Sequence, residues 1–204
     1  MSISVYDQSI ARMSHMLQNL DNIVAKAEAY AEANDIEPSA LLQARLFPTM
    51  RNFIFQVQVA TDVAKGCAAR LAGTDMPKWS DDEETFADVH ARIKKSLDFL
   101  ATFKPEQLEG SETREIELKL GSHTVNFTGQ SYLLGFVLPN FYFHITTAYN
   151  LLRHNGLDLG KRDFLGEIYR VGGSAETRQI HRRQTLEVRP KGERSESIPP
   201  LATA

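Results

Sequence analysis

A single cysteine, Cys67, stands in 204 residues, so no intramolecular disulfide can form and no cysteine-based zinc site can be built. No run reaches the roughly 18 to 20 consecutive apolar residues that a bilayer-spanning helix needs. The most apolar stretch, residues 132–143, already contains Asn140. The first residues, MSISVYDQSIARMSHML, carry acid and amide side chains inside their apolar periodicity and no basic lead-in to an unbroken apolar run. That argues against a secretory signal and makes a cytoplasmic location the expectation. Histidine is sparse as well. None of the six has another three or four residues away, so HxxxH and HExxH metal motifs are absent. No glycine-rich phosphate loop and no serine nucleophile elbow occurs, because Gly172-Gly173 lies outside any strand-to-helix context.

Positive charge is also short in most of the chain. Residues 1–168 hold 16 basic and 22 acidic side chains, whereas residues 169–204 hold seven and four. Phosphate-backbone binding depends on clustered Lys and Arg, so the acidic body is not expected to bind nucleic acid. Nor is a membrane an expected partner. What is present is ordinary for one globular domain with a sizeable core: 42% hydrophobic and 24% charged residues.

Residues 4–34 repeat apolar side chains at Ile10, Met13, Leu17, Leu20, Val24, Ala27 and Ala31, the steps of three and four of an amphipathic helix. Pro38 suits the first turn of a short helix over Leu41 and Leu42. A second long helix is predicted to begin near Pro48 and to stop at Gly73. Its small residues Ala60, Ala64, Cys67 and Ala68 suit a central place where another helix approaches closely. Ser80, Asp81 or Asp82 is expected to cap a third helix, with Glu83 and Glu84 complementing its dipole and Phe86, Val89, Ile93, Leu97 and Leu100 facing the core.

Residues 115–120 then alternate strictly, with Ile116, Leu118 and Leu120 on one side and Glu115, Glu117 and Lys119 on the other, which reads as a strand. A turn at Gly121-Ser122 and a return over residues 125–127 complete a hairpin that must lay its apolar face on the helices. A short helix over residues 131–137 leads to Pro139, which opens a fourth long helix ending at Asn155-Gly156. From Tyr169 the chain turns polar, with Gly-Gly and Pro-Pro and no apolar period. Residues 169–204 are read as a disordered basic extension following a domain of residues 1–168.

The fourth helix places Asn140 and His144 one turn apart on one face. His144 offers a metal-ligating nitrogen or a proton-transfer group, or it is a core histidine bonded to a hydroxyl or carbonyl. On the second helix Gln56, Gln58 and Asp62 are the polar residues. Buried, Asp62 requires a partner, either His144 or an arginine; otherwise it lies on a partly exposed face. Arg162 follows Gly160 in the returning segment, where it either holds an anion or is surface charge. Phe141, Tyr142, Phe143 and Tyr149 pack the core and interface or line a small apolar cavity.

Long motifs carry a resemblance. Phe47-Pro48, QVQVATDVAKGCAARLAG from Gln56, VNFTG at the hairpin end and LPNFYFHITTAYNLLRHNGLDLGKRDFLG from Leu138 resemble the domain-of-unknown-function family 1993, a branch of the DinB-like (DinB/YfiT) four-helix bundles. The resemblance implies an all-α, up-down-down-up four-helix bundle with a small hairpin insertion, often dimeric. It also implies a pocket that in many relatives binds a divalent metal through three histidines, one from the second helix and two from an HxxxH pair on the fourth. Some relatives use that metal for thiol-dependent transfer or isomerisation. Here His144 stands at the last of those positions, Asn140 replaces the preceding one, and the second helix has no histidine.

Neutral amides are weak ligands for zinc or nickel, so the three-histidine site is expected to be absent, with at most a weak divalent site from His144 and Asp62. The expected protein is a binding or dimeric interaction module for an unknown small molecule, with Gln58, Asn140, Tyr142 and Arg162 in its pocket and no cofactor. The alternative is a thiol-dependent transferase or isomerase in which His144 acts as base and Asp62 orients it.

Overall fold

The steps of three and four in the first segment become α1 (Arg12–Ala33), entered through a wider π-type turn at Asp7–Ala11. Its stripe of Met13, Leu17, Leu20, Val24, Ala27 and Ala31 is buried. The computed structural model describes residues 4–167. Within them the chain is mostly helical, with one two-stranded antiparallel hairpin. Every expectation for residues 169–204 lies outside the described residues.

Pro38 does open a short helix, α2 (Pro38–Leu42), which buries Leu41 and Leu42. The next helix differs from expectation. α3 (Phe53–Ala72) starts five residues after Pro48, because the Asn52 side chain accepts the Phe55 amide at 3.0 Å and so fixes the first turn there. Residues 47–50 make a turn instead, with Met50 N donating to Phe47 O. The helix ends where it should: Gly73 takes the left-handed conformation, φ 69°, that lets its amide close the last turn.

A second helix start is also corrected. α4 (Phe86–Leu100) is capped by Thr85, whose hydroxyl accepts the Asp88 amide while the Asp88 carboxylate accepts the Thr85 amide. Ser80, Asp81 and Asp82 are left upstream, free for another task. The hairpin pairs β1 (Glu115–Leu120) with β2 (His123–Thr128) around Gly121-Ser122, Ile116 opposite Phe127 and Leu118 opposite Val125. Ile116 and Leu118 are buried, and the Phe127 ring lies 5.8 Å from Tyr132 and 6.0 Å from Phe136.

The short helix expected over residues 131–137 divides into α5 (Gly129–Tyr132) and a π-type turn, Leu133–Val137, that runs directly into α6 (Leu138–His154). Gly129 is required by closeness, since a Cβ there would lie 1.8 Å from the Ser111 carbonyl oxygen. The last element is α7 (Lys161–Leu165).

Four long helices touch pairwise: α3 packs on α6 and α4, and α1 packs on α4 and α6. Ala60, Ala64, Cys67 and Ala68 are fully buried in α3, the close approach that their size allows. Burial pushes the free Cys67 thiol far above its usual range. Polar contacts also fix α1 to α4 and α7. His90 of α4 meets Asp21 at 2.6 Å, and Asn19 donates to the Phe164 carbonyl of α7 at 3.1 Å.

Candidate functional site

Residues two apart on a helix point about 200° away from each other. That rule divides the polar side chains of α3 between two neighbours. Gln56 shares a face with Ala60 and Ala64 and is buried. It meets α6, where its Oε1 lies 2.8 Å from His144 Nδ1. Gln58 and Asp62 point the other way, toward the segment before α4. Gln58 Nε2 donates to Glu83 Oε2 at 2.7 Å, and Asp62 Oδ1 receives Lys65 Nζ at 2.6 Å and Arg92 Nη2 at 3.0 Å.

Asp62 therefore does not orient His144; its partner is an arginine on α4, with Lys65 beside it. Gln56 takes the orienting place. Its Nε2 donates to the Arg51 carbonyl at 3.1 Å, so the amide is held at both ends and its oxygen is aimed at the imidazole. An amide oxygen only accepts, so Nδ1 carries the proton and Nε2 keeps its lone pair. Nε2 has no partner among the described residues and is not sealed from solvent. Burial lowers the His144 pKa below its usual value, which keeps the ring neutral at pH 7.

Aromatic edges frame that nitrogen's ring. Phe143, 56% exposed, lies 5.1 Å from it at 88°, and Phe55 lies 6.3 Å away at 67°. The Arg51 guanidinium sits over the Phe55 ring at 5.2 Å. An open cleft of about 260 Å³ borders the same ring, with Arg45, Arg51, Asn52, Gln58 and Glu83 in its walls. His144 and Gln56 do not line this cleft, while Phe55 lines it and also meets the His144 ring.

The other sequence candidates are dispersed. Asn140 is half-buried one turn before His144, and its side chain makes no hydrogen bond among the described residues. Tyr142 is half-buried with its ring 5.7 Å from Phe141. Arg162 is exposed on α7, which packs along α1, and no interaction joins it to Gln56 or His144.

Arg92 builds the second polar cluster. Its guanidinium donates to Thr61 Oγ1, the Ser80 carbonyl, Asp81, Glu83 and Asp62 at 2.7 to 3.0 Å, and its side chain is 2% exposed. Burial disfavours the cation, but the charges of Glu83 and Asp62 and the bonds to Glu83 and Asp81 outweigh it and raise the pKa above the ordinary arginine value. Trp79 completes the cluster, with Lys65 Nζ, Lys95 Nζ and Arg92 Cζ over its ring at 4.2, 5.2 and 5.4 Å. Asp81 and Glu83, expected to serve a helix start, here tie the α3–α4 connection to the helices.

No three His, Cys, Asp or Glu side chains converge to hold a metal ion among the described residues. The donor set beside His144 does not suit one either, since Gln56 is an amide whose oxygen is already spent on Nδ1. What the arrangement supplies is a fixed, neutral hydrogen-bond acceptor among aromatic rings.

This geometry sits on a recognisable chain. The family described as Domain of unknown function (DUF1993) matches residues 5–165. The chain belongs to the DUF1993 family. A crystal structure of a DinB family member protein from Shewanella denitrificans is similar to it, with 39% sequence identity and a TM-score of 0.75 over 82% of this chain and 95% of that one. No curated protein matches. The family match and the DinB neighbour agree with the resemblance carried by the α3 and α6 motifs. No helix among the described residues is long and apolar enough to cross a membrane.

Proposed function

We propose that this DUF1993 chain is a small-molecule binding module built on an up-down-down-up bundle of α1, α3, α4 and α6, with residues 1–168 as its domain. Its site is the corner where α3 meets α6, with His144 Nε2 as the recognition atom and Phe55 and Phe143 as apolar walls. The observation that carries this reading is the Gln56–His144 hydrogen bond of 2.8 Å, which fixes the tautomer and leaves one acceptor open. A ligand hydroxyl, amine or thiol would donate to that nitrogen. The proposed site works without the three-histidine metal, because Asn140 stands in place of one histidine and α3 has none. A dimeric assembly through exposed Phe47 and Phe143 and a cytoplasmic setting, in which Cys67 stays a free thiol, belong to the same proposal.

Catalysis by His144 as a general base is the second reading, supported by the same open Nε2. It is disfavoured by the orienting group. A carboxylate behind the ring would stabilise the imidazolium formed on proton uptake, whereas a neutral amide gives it far less help. The test is a screen of small thiols and acids followed by the ring signals of His144 in native protein and by melting temperature in native and His144→Ala protein, with zinc and nickel content measured on both. Compounds that shift the His144 signals and lose their stabilising effect in His144→Ala support the module. Stoichiometric zinc or nickel that disappears in His144→Ala overturns it.

A further inference from the structure

The cleft beside Phe55 has polar walls, yet almost every polar group in them is already committed. Asn52 Nδ2 bonds to Gln43 Oε1, and Asn52 Oδ1 accepts the Phe55 amide. Gln58 is spent on Glu83, while Asp81 and Glu83 are spent on Arg92. Arg92, Lys65 and Lys95 gather at Trp79 opposite Asp62, Asp81 and Glu83, so that cluster balances its own charge. Two lining residues are left over. Arg45 gives one donor to the Met50 carbonyl at 2.7 Å, and Arg51 makes no side-chain hydrogen bond or ion pair among the described residues, only the contact over the Phe55 ring.

Two guanidinium groups without a carboxylate, beside an aromatic face in an open cleft, have one obvious complement. We propose that this cleft binds a small organic carboxylate, its oxygens on Arg51 and Arg45 and its apolar part against Phe55. Guanidinium donors form a planar fork that matches a carboxylate. The cleft volume of about 260 Å³ lies just below the range of roughly 300 to 1,000 Å³ usual for ligand pockets, so the ligand is about the size of one substituted ring. The cleft is a second site beside the His144 corner, since His144 and Gln56 do not line it, so this inference goes beyond the small-molecule reading and stands or falls apart from it.

The test is an NMR titration of the full chain with benzoate, with benzamide as its neutral planar counterpart and with inorganic phosphate. The backbone amides of Asn52 and Phe55 and the ring of His144 are followed. Benzoate is expected to shift the Asn52 and Phe55 amides and to bind about tenfold more tightly than benzamide, the scale of one charge-assisted pair. It should also bind more tightly than phosphate, which has no apolar part. Arg51→Gln, at an exposed residue whose side chain otherwise makes only the contact over the Phe55 ring, should weaken benzoate by a similar factor and change the melting temperature little. Equal binding of benzamide, tighter binding of phosphate, or an unaltered benzoate affinity in Arg51→Gln overturns the carboxylate. Benzamide binding equally while shifting the His144 ring would remove the anion and leave the small-molecule reading standing. Silence of all three probes at Asn52 and Phe55 would remove the carboxylate, whatever the screen at His144 shows.

Discussion

Two buried polar groups, Arg92 and His144, face opposite sides of α3, and they differ in how much of their bonding capacity the protein consumes. Arg92 meets five acceptors from α3 and the α3–α4 connection, three of them carboxylates. His144 meets one, the Gln56 amide, and keeps a second ring nitrogen open. A saturated cluster has nothing left for a ligand, and its charge is retained because the fold supplies every partner. An unsaturated one carries a capacity that only something outside the chain can fill. Burial and residue type would have ranked Arg92 as the more unusual of the two, and the accounting of partners reverses that order.

The comparison breaks first at Arg92, where the largest effect is expected. Arg92→Ala leaves Glu83 buried without its cation and releases the connection that ends at Thr85. A loss of about 3 kcal/mol or more in unfolding free energy follows, the usual result of removing one partner of a buried pair. Arg92→Lys keeps the charge but loses the fork, and should fall between. Urea unfolding of the two variants checks this, and a loss below about 1 kcal/mol in Arg92→Ala would mean that the cluster behaves like an ordinary surface pair.

A smaller effect is expected at Gln56. Gln56→Leu strands the His144 Nδ1 proton and the Arg51 carbonyl, at a cost of about 1 to 3 kcal/mol. It also frees the ring to change tautomer. Gln56→Glu keeps the shape and sets a negative charge beside the imidazole, so the His144 pKa should rise. Nitrogen NMR of the imidazole separates the outcomes: native protein should show one tautomer protonated at Nδ1, and Gln56→Leu a mixture. A fixed tautomer in Gln56→Leu would show that something other than the amide orients the ring.

How far the sequence reached differs between these two regions. The α1 stripe, the Gly73 stop, the hairpin turn at Gly121-Ser122 and the small buried face of α3 follow from periodicity and turn chemistry, which are local. The late start of α3 and the Thr85 cap of α4 were harder, because Pro48 and the acids at residues 81–82 are equally good local signals and tertiary partners decided among them. The site shows the same division. The Asn140 and His144 spacing marks the right helix, and the need of Asp62 for an arginine or His144 is legible from charge. Which of Gln56 and Asp62 reaches α6 is set by rotation about the α3 axis. One signal was available: Gln56 continues the Ala60 and Ala64 row at four-residue steps, and Gln58 with Asp62 forms a separate row. Arg51 and Phe55 had no such marker, since their meaning comes from a cleft formed by chain segments far apart in sequence.

The smallest effect is the titration of His144 itself, and its sign tests whether the ring is desolvated as its burial implies. Burial lowers the folded-state pKa beneath the usual histidine value of 6.5, so between the two values the unfolded chain binds more protons than the native one. Stability then rises with pH across that window. The contribution is complete above 6.5 and is lost as pH falls toward the folded pKa. Unfolding free energies measured on native and His144→Gln protein across mildly acidic pH should diverge in slope only below about 6.5, with the native protein the steeper. A proton NMR midpoint for His144 at or above 6.5 would place the ring in water or beside an unrecognised negative charge, and the contrast with Arg92 would shrink to one of geometry alone.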